Sequence, residues 1–297
     1  MSSVAQRGSS HSRRRSQIVE LVKAQGWARI DDLADQFGVS TMTIHRDLDH
    51  LDSQGMLRKV RSGAEAPPSE AFERNVDLRR TLNLMEKKAV ADAGFAWAAE
   101  RVQMQAVALD DSTTALHVLP RLLEHLPLTV VTNFLPVINQ LAADPRVRLN
   151  AIGGDYEPDF SAFLGSQAIG AVQAVHYDVL FMSVPAVTRG HCFHPSSAAA
   201  DLKRAFMSSA ELRVLLVDHT KTERRAVHRI CALADFDAVV VDSGLDASEV
   251  ERLGASGANV VVAPTPALSS GTPPSTSVRR EGSMKQGPTS PEPEDQP

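Results

Sequence analysis

The sequence predicts an α/β chain in two parts, a small helical head followed by a larger Rossmann-like body on a mostly parallel sheet. Three observations carry that prediction. From Arg13 to about Ala64 the apolar residues recur at helical spacing. Beyond residue 104 the period changes to short runs rich in Val and Leu: QAVALDD, LTVVTN, RLNAIGG, YDVLFMSV, RVLLVDH, DAVVVDS and NVVVA. Most of these runs are separated by segments with helical spacing, such as Thr113–His125 and Leu202–Leu212. Continuous apolar strands alternating with helices imply a sheet covered on both faces.

The divisions follow from composition. A length of 297 residues suggests two domains. Residues 1–12 are rich in Ser and Arg and are expected to be disordered. Residues 13–65 form the head, and 66–84, which begin with a Pro67-Pro68 pair, read as a linker. An Ala-rich segment from about Arg79 to Arg101 reads as one helix, residues 85–264 form the body, and 265–297 read as a disordered tail. Two cysteines, Cys192 and Cys231, cannot build a disulfide framework and fit a reduced cytosol. The basic start has no apolar core behind it, so it is not read as a secretory signal. No run approaches about 18 apolar residues, so no membrane contact and a cytoplasmic location are expected. The net charge of −5 hides an asymmetry. Residues 1–63 hold 10 Lys and Arg against 7 Asp and Glu, and the remainder holds 21 against 29. A basic head on an acidic body is compatible with nucleic-acid contact.

In the head, RRRSQIVELVKAQG places Ile18, Leu21 and Val22 on one face and ends at Gly26. IDDLADQFG is a second helix, with Asp31 and Asp32 in the first turn, where carboxylates suit the helix dipole. Gly38 allows the tight turn, Val39 plugs the corner and Ser40 caps a third helix. On that helix Ile44, Leu48 and Leu51 cluster on a narrow arc. Met42, Arg46 and Asp49 point the other way, flanked by Thr43, His45 and His50. Two helices joined by so short a turn form a helix-turn-helix. An amphipathic helix alone would be only a solvated face, but here it follows Gly-Val-Ser and precedes MLRKVRSGA, which reads as a β-wing turning at Gly63. A major groove admits such a helix, and side chains of its N-terminal part meet base edges. The candidate DNA contacts are therefore Ser40, Thr41, Met42, Thr43, His45 and Arg46, with Arg58, Lys59 and Arg61 of the wing along phosphates.

VSTMTIHRDLDHLDSQGMLRKVRSGA resembles the winged helix-turn-helix signature of the DeoR family of bacterial transcriptional regulators. Two departures stand out: His45 replaces the first arginine of the usual pair, and Ser62 replaces the first wing glycine. The first removes a permanently charged fork, which bears on phosphate affinity or base preference.

In open α/β sheets ligands collect at the carboxyl ends of the strands. The first run leads through Asp110 and Asp111 into Ser112, Thr113 and Thr114, an arrangement that suits an anion at a helix start and that alone reads first as a cap. Asn133, Gly153 with Gly154, and Lys221 follow other runs. Lys203 is a further candidate, although its position reads more readily as solvated. Together these strand ends suggest a sugar phosphate or a similar anion.

The resemblance extends through ALDDSTTALHV, LTVVTN, AIGGDY, FLGSQA, DLKRAFM and VDHTK, from about Arg13 to Ala263. It implies an effector domain similar in fold to sugar-phosphate isomerases and CoA transferases. By resemblance, Asp110, Ser112, Thr113, Thr114, Asn133, Gly154 and Lys221 are effector-site candidates, and Lys203 matches the family's usual lysine. Ser183, Val184 and Pro185 stand where relatives show a Gly-containing turn, and Ala199 stands where a glutamate is usual. The alternative is a sugar-phosphate isomerase. It needs a positioned base, yet Asp110-Asp111 suits a cap and no separate base stands out. No catalytic residue is assigned. HCFH at 191–194 lacks a second ligand cluster and reads as a loop or edge segment, so neither metal nor cofactor is expected. The expectation is a repressor of carbohydrate genes that binds double-stranded operator DNA as a dimer or tetramer and responds to a small phosphorylated sugar.

Overall fold

The structure, a computed structural model, describes residues 14–22, 26–65, 75–222 and 224–264. The predicted disordered ends, and the first part of the predicted linker, lie outside the described residues.

The head is built as its pattern requires, with one added strand. Helix α1 covers 14–22, and strand β1 is Trp27–Arg29. Helix α2 is Ile30–Phe37 and α3 is Thr41–Ser53. Gly38 ends α2 in the left-handed conformation at φ 62°, and Ser40 caps α3 by accepting from the Thr43 amide. Strands β2 (Arg58–Val60) and β3 (Gly63–Glu65) form the wing, and β3 lies between β2 and β1. Gly63 is thus not the turn but the start of β3, and a Cβ there would sit 2.0 Å from the Ala28 carbonyl oxygen. That close approach to β1 is what a glycine permits. Ile18, Val22, Leu33, Ile44, Leu48 and Leu51 fill the core; Val19 is buried as well, whereas Leu21 is half-buried. The helix-turn-helix scaffold also hides a polar tie. Asp47 of α3 is 2% exposed and accepts from Arg14 Nε at 2.7 Å and Arg15 Nε at 2.8 Å.

The segment read as a linker contains structure. Helix α4 (Val76–Thr81) and α5 (Leu84–Ala99) take the place of one continuous helix, broken at Asn83, which adopts φ 52°. Asparagine tolerates the left-handed region that most residues avoid. Val76 belongs to the body core, whereas Leu78 and the capping residue Leu82 belong to the head core, so α4 and its cap bridge the two.

The seven apolar runs form one seven-stranded sheet. Its strands are β4 (Ala106–Leu109), β5 (Leu128–Thr132), β6 (Val147–Ala151), β9 (Tyr177–Met182), β12 (Ala210–Val217), β14 (Ala238–Asp242) and β15 (Val260–Ala263). Their order is β15-β14-β12-β9-β4-β5-β6, with every neighbouring pair parallel. Val239, Val240 and Val241 are buried on both faces of β14, as an enclosed parallel strand requires. The chain moves outward from β4 through β5 and β6, then returns to the other side of β4 with β9. The topological switch point therefore lies between β4 and β9, and a ligand crevice is expected beyond their carboxyl ends.

Four features differ from the expected pattern. Thr113–His125 is not one helix: a 3-10 turn at Ala115–Val118, α6 (Leu119–Leu122) and a second 3-10 turn at Leu123–His125 follow one another. After α7 (Leu135–Leu141), a hairpin of β7 (Asp155–Glu157) and β8 (Ala162–Leu164) leads into α8 (Gly165–Gln173). HCFH is not a loop or edge segment. It is β11 (His191–His194), the middle strand between β10 (Ala186–Thr188) and β13 (His228–Ala232). Helix α9 spans Ser197–Ser208, so Leu212 lies in β12 and not in a Leu202–Leu212 helix. Helix α10 (Ala247–Ala255) precedes the last strand.

Candidate functional site

The outward face of α3 is available. Ile44 and Leu48 are fully buried, while Thr41, Met42 and Arg46 are exposed and Thr43 and His45 are half-buried. Ser40 Oγ and Thr43 Oγ1 are 2.9 Å apart at the helix start. The wing is fastened to this helix: the Lys59 amide donates to Asp52 Oδ1 at 3.0 Å, and Lys59 Nζ donates to Asp49. Arg58 pairs with Glu65 across the wing, and Arg61 is exposed in its turn. The nine candidate DNA contacts thus fall on α3, its cap and the adjoining wing. Arg46→Ala should weaken binding to a specific operator by about 1–3 kcal/mol, the discrimination a bidentate base contact supplies. Anisotropy on matched and scrambled duplexes measures this, and an unchanged preference would remove Arg46 from base reading.

The body holds a small polar cavity at the predicted switch point. Ser112, Thr113 and Thr114 after β4, Ser183 to Pro185 after β9, and Lys221 after β12 line it. Asp111, His194, Lys203 and Arg79 complete the lining. Its volume is about 10 Å³, room for no more than one water.

Two of the lining residues, Asp111 and Lys203, belong to a charged triad with Asp110. Lys203 is 2% exposed, contrary to its reading as a solvated lysine. Its Nζ donates to Asp110 Oδ2 at 2.6 Å, Asp111 Oδ1 at 2.7 Å and the Ser183 carbonyl at 3.1 Å. Three acceptors exhaust the three donors of an ammonium group. Asp110 also accepts from the amides of Ser112 at 3.1 Å and Ser183 at 3.2 Å, so it ties two strand ends together, and it is not among the residues that line the cavity. Burial raises its carboxyl above the usual range, although Lys203 opposes the shift. Burial acts on Asp111 in the same direction, but the charges of Lys203, His194 and Arg79 outweigh it and the group is held below the usual range. Burial disfavours the Lys203 ammonium, yet the two carboxylates win and raise its pKa.

Of the effector candidates, the structure brings Ser112, Thr113, Thr114, Lys203 and Lys221 to the cavity. It places Asn133 and Gly154 elsewhere. Asn133 follows β5 directly, and its Nδ2 donates to the Phe163 carbonyl at 3.1 Å. Gly154 packs where a Cβ would sit 2.4 Å from the Leu164 carbonyl oxygen, which explains the glycine by packing.

Sequence reasoning missed two cations. Arg79 of α4 is 7% exposed and lines the cavity, and its Nε and Nη2 are buried without hydrogen-bond partners. Lys87 of α5 is 3% exposed and donates to the Arg79 carbonyl and to Thr113 Oγ1 at 3.2 Å. Burial pushes its pKa down to about 7, and Lys221, Arg79 and Arg224 push in the same direction against Asp218. Arg79 was hidden by the linker reading, and Lys87 by its place in an Ala-rich helix to which no site was assigned. The signal that could have found them is the break at Asn83. Its side chain donates to Asp218 Oδ1 and Thr220 Oγ1, and its amide to Glu20 of the head at 3.4 Å. His194 lines the cavity, and no group of three or more His, Cys, Asp or Glu among the described residues could hold an ion. No helix among the described residues is long and apolar enough to cross a membrane.

A winged head joined to a parallel-sheet domain with a polar site at its switch point is the build of a transcription regulator. Residues 14–70 match the DeoR-like helix-turn-helix domain, and residues 82–243 match the DeoR C terminal sensor domain. The chain is 32% identical to the aga operon transcriptional repressor of Escherichia coli O157:H7 over 256 residues, which is 84% of this chain and 93% of that one. It is 28% identical to the transcriptional repressor AccR of Agrobacterium fabrum, covering 78% of this chain and 89% of the relative. It is also 28% identical to the lactose phosphotransferase system repressor of Staphylococcus aureus, covering 77% and 91%. The chain belongs to the DeoR family: it is a DNA-binding transcriptional regulator and not an enzyme.

Proposed function

We propose that this protein represses genes of carbohydrate metabolism and that a phosphorylated sugar bound in the body controls its grip on the operator. The carrying observation is the cavity at the β4–β9 switch point, where hydroxyls of Ser112, Thr113 and Thr114 meet Arg79 and Lys221. Hydroxyl donors with lysine and arginine suit a phosphate monoester. Relatives that repress the aga operon and the lactose phosphotransferase system point to sugar-linked genes. The operator is read by Ser40, Thr41, Met42, Thr43, His45 and Arg46, with Arg58, Lys59 and Arg61 along the backbone. Lys203 holds Asp110 and Asp111 in place, and Thr113, Thr114 and Lys221 face the ligand. Two copies or four present paired heads to paired half-sites.

Calorimetric titration of the full chain with a panel of sugar phosphates tests this reading. One member should bind, and Lys221→Ala should weaken that binding at least tenfold. Binding unaffected by Lys221→Ala would move the pocket elsewhere.

A further inference from the structure

Neither cysteine belongs to the DNA-reading face or lines the cavity. They are the chain's only two, separated by about 40 residues, yet the fold sets them on one rung of the small β10-β11-β13 sheet. β11 and β13 run antiparallel, and Cys192 stands directly opposite Cys231. The two sulfurs are hydrogen-bond partners, and that bond, followed by burial, pushes the Cys192 thiol well up. Directly opposed residues of an antiparallel pair have Cα atoms about 4.5 or 5.5 Å apart, and a disulfide bridges either span. Both residues are free thiols, Cys192 fully buried and Cys231 half-buried. β13 is an edge strand of its sheet, so Cys231 is the sulfur that a small solute reaches first. A buried cysteine ordinarily serves as a small apolar filler. That role accounts for Cys192 but not for a second, half-exposed thiol set against it. With no third ligand beside them among the described residues, the pair is a dithiol and not a metal site.

We propose that Cys192 and Cys231 form a reversible oxidation site, which a peroxide converts into one disulfide within the chain. The Cys231 sulfur, as thiolate, attacks one oxygen of hydrogen peroxide. An S–O bond forms, the O–O bond breaks, and the departing hydroxide takes up a proton and leaves as water. The Cys192 sulfur then attacks the sulfenic sulfur of Cys231. The S–S bond forms, the S–O bond breaks, and the thiol proton of Cys192 leaves with the hydroxide as a second water. Two thiols lose two electrons in all, and the peroxide gains them. A dithiol reductant that attacks the exposed side of the bond reverses the change. The disulfide ties β11 to β13 where their ladder is irregular, since the register shifts between Cys192 and Phe193. His194 shares the buried side of β11 with Cys192, and Lys221 precedes β13; both line the cavity. The oxidised chain therefore holds these two walls in their present arrangement, whatever ligand the cavity takes.

The test uses the full chain, first reduced and then treated with hydrogen peroxide. Peptide mass analysis without reductant should show the segments around Cys192 and Cys231 joined, and both titratable thiols should disappear. The urea midpoint should rise on oxidation and return when dithiothreitol is added, because closing a loop of about 40 residues restricts the unfolded chain. Cys192→Ala keeps an apolar side chain in the core and should leave Cys231 as a sulfenic acid that dimedone captures. Cys231→Ser should leave Cys192 unreactive in the folded protein. Neither variant should gain stability from peroxide. Two thiols that persist in the folded wild-type chain, while the urea-unfolded chain oxidises, would overturn the assignment. A disulfide that joins two chains instead of closing within one would overturn it as well.

Discussion

Lys203→Met should destabilise the body by about 3–5 kcal/mol, the usual cost of removing one partner from a buried ion pair. The side-chain length is nearly kept, so little of the loss comes from a cavity. What remains is Asp110, 0% exposed, and Asp111, 5% exposed, with no ammonium between them. The loss has a characteristic pH dependence. In the variant the Asp110 carboxyl lies still further above its unfolded pKa, since Lys203 no longer opposes burial, while Asp111 loses one of the three cations that hold it down. A carboxyl raised in this way stabilises the fold while protonated and loses that contribution as pH rises through the folded pKa. The variant should therefore be more nearly normal at pH 5 than at pH 8. Urea denaturation at the two pH values measures it, and a deficit independent of pH would show that the triad is not what holds the strand ends.

The second large effect is on ligand binding. Lys87 has its pKa pushed down to about 7 by burial, by Lys221, Arg79 and Arg224, and upward only by Asp218. His117 nearby is held down to about 4, chiefly by burial, and stays neutral near pH 7. A phosphate dianion at Thr113 favours the charged lysine, so binding above pH 7 takes up a proton. Affinity should then fall by up to about tenfold per pH unit, and by up to about 50-fold between pH 7 and 9. Below about pH 6 the phosphate itself gains a proton and binding weakens again. Calorimetry in buffers of different ionisation enthalpy counts the proton directly. Lys87→Met should flatten the alkaline slope, and a slope unchanged in that variant would exclude Lys87 as its source.

Much of this molecule was legible in its sequence because strong periodicity survives folding. Seven apolar runs became seven parallel strands, and the Ile44, Leu48 and Leu51 stripe became the buried side of α3. Rules of sheet topology then placed Ser112, Thr113, Thr114 and Lys221 at one cavity. The misreadings share a physical cause: composition does not reveal where a charged residue is buried. Lys203 looks solvated until the acceptors that surround it are known, and those acceptors lie up to 93 residues away. Arg79 sat in a stretch judged by its Pro-Pro start, although Leu78 and Leu82 give it a helical anchor. Asn133 and Gly154 follow strands on the far side of the switch point, β5 and β6, away from the crevice between β4 and β9.

On the proposed function, one chain reads an operator and alters that reading when a sugar phosphate enters the body. Fluorescence anisotropy of the full chain on its own upstream intergenic DNA tests it most directly. Scrambled DNA serves as the control, at two salt concentrations and with each of a panel of sugar phosphates. We expect selective binding that weakens with salt and that one phosphate changes by about 5–150-fold, the ordinary range of allosteric coupling. Selective binding indifferent to every phosphate would contradict the proposed control.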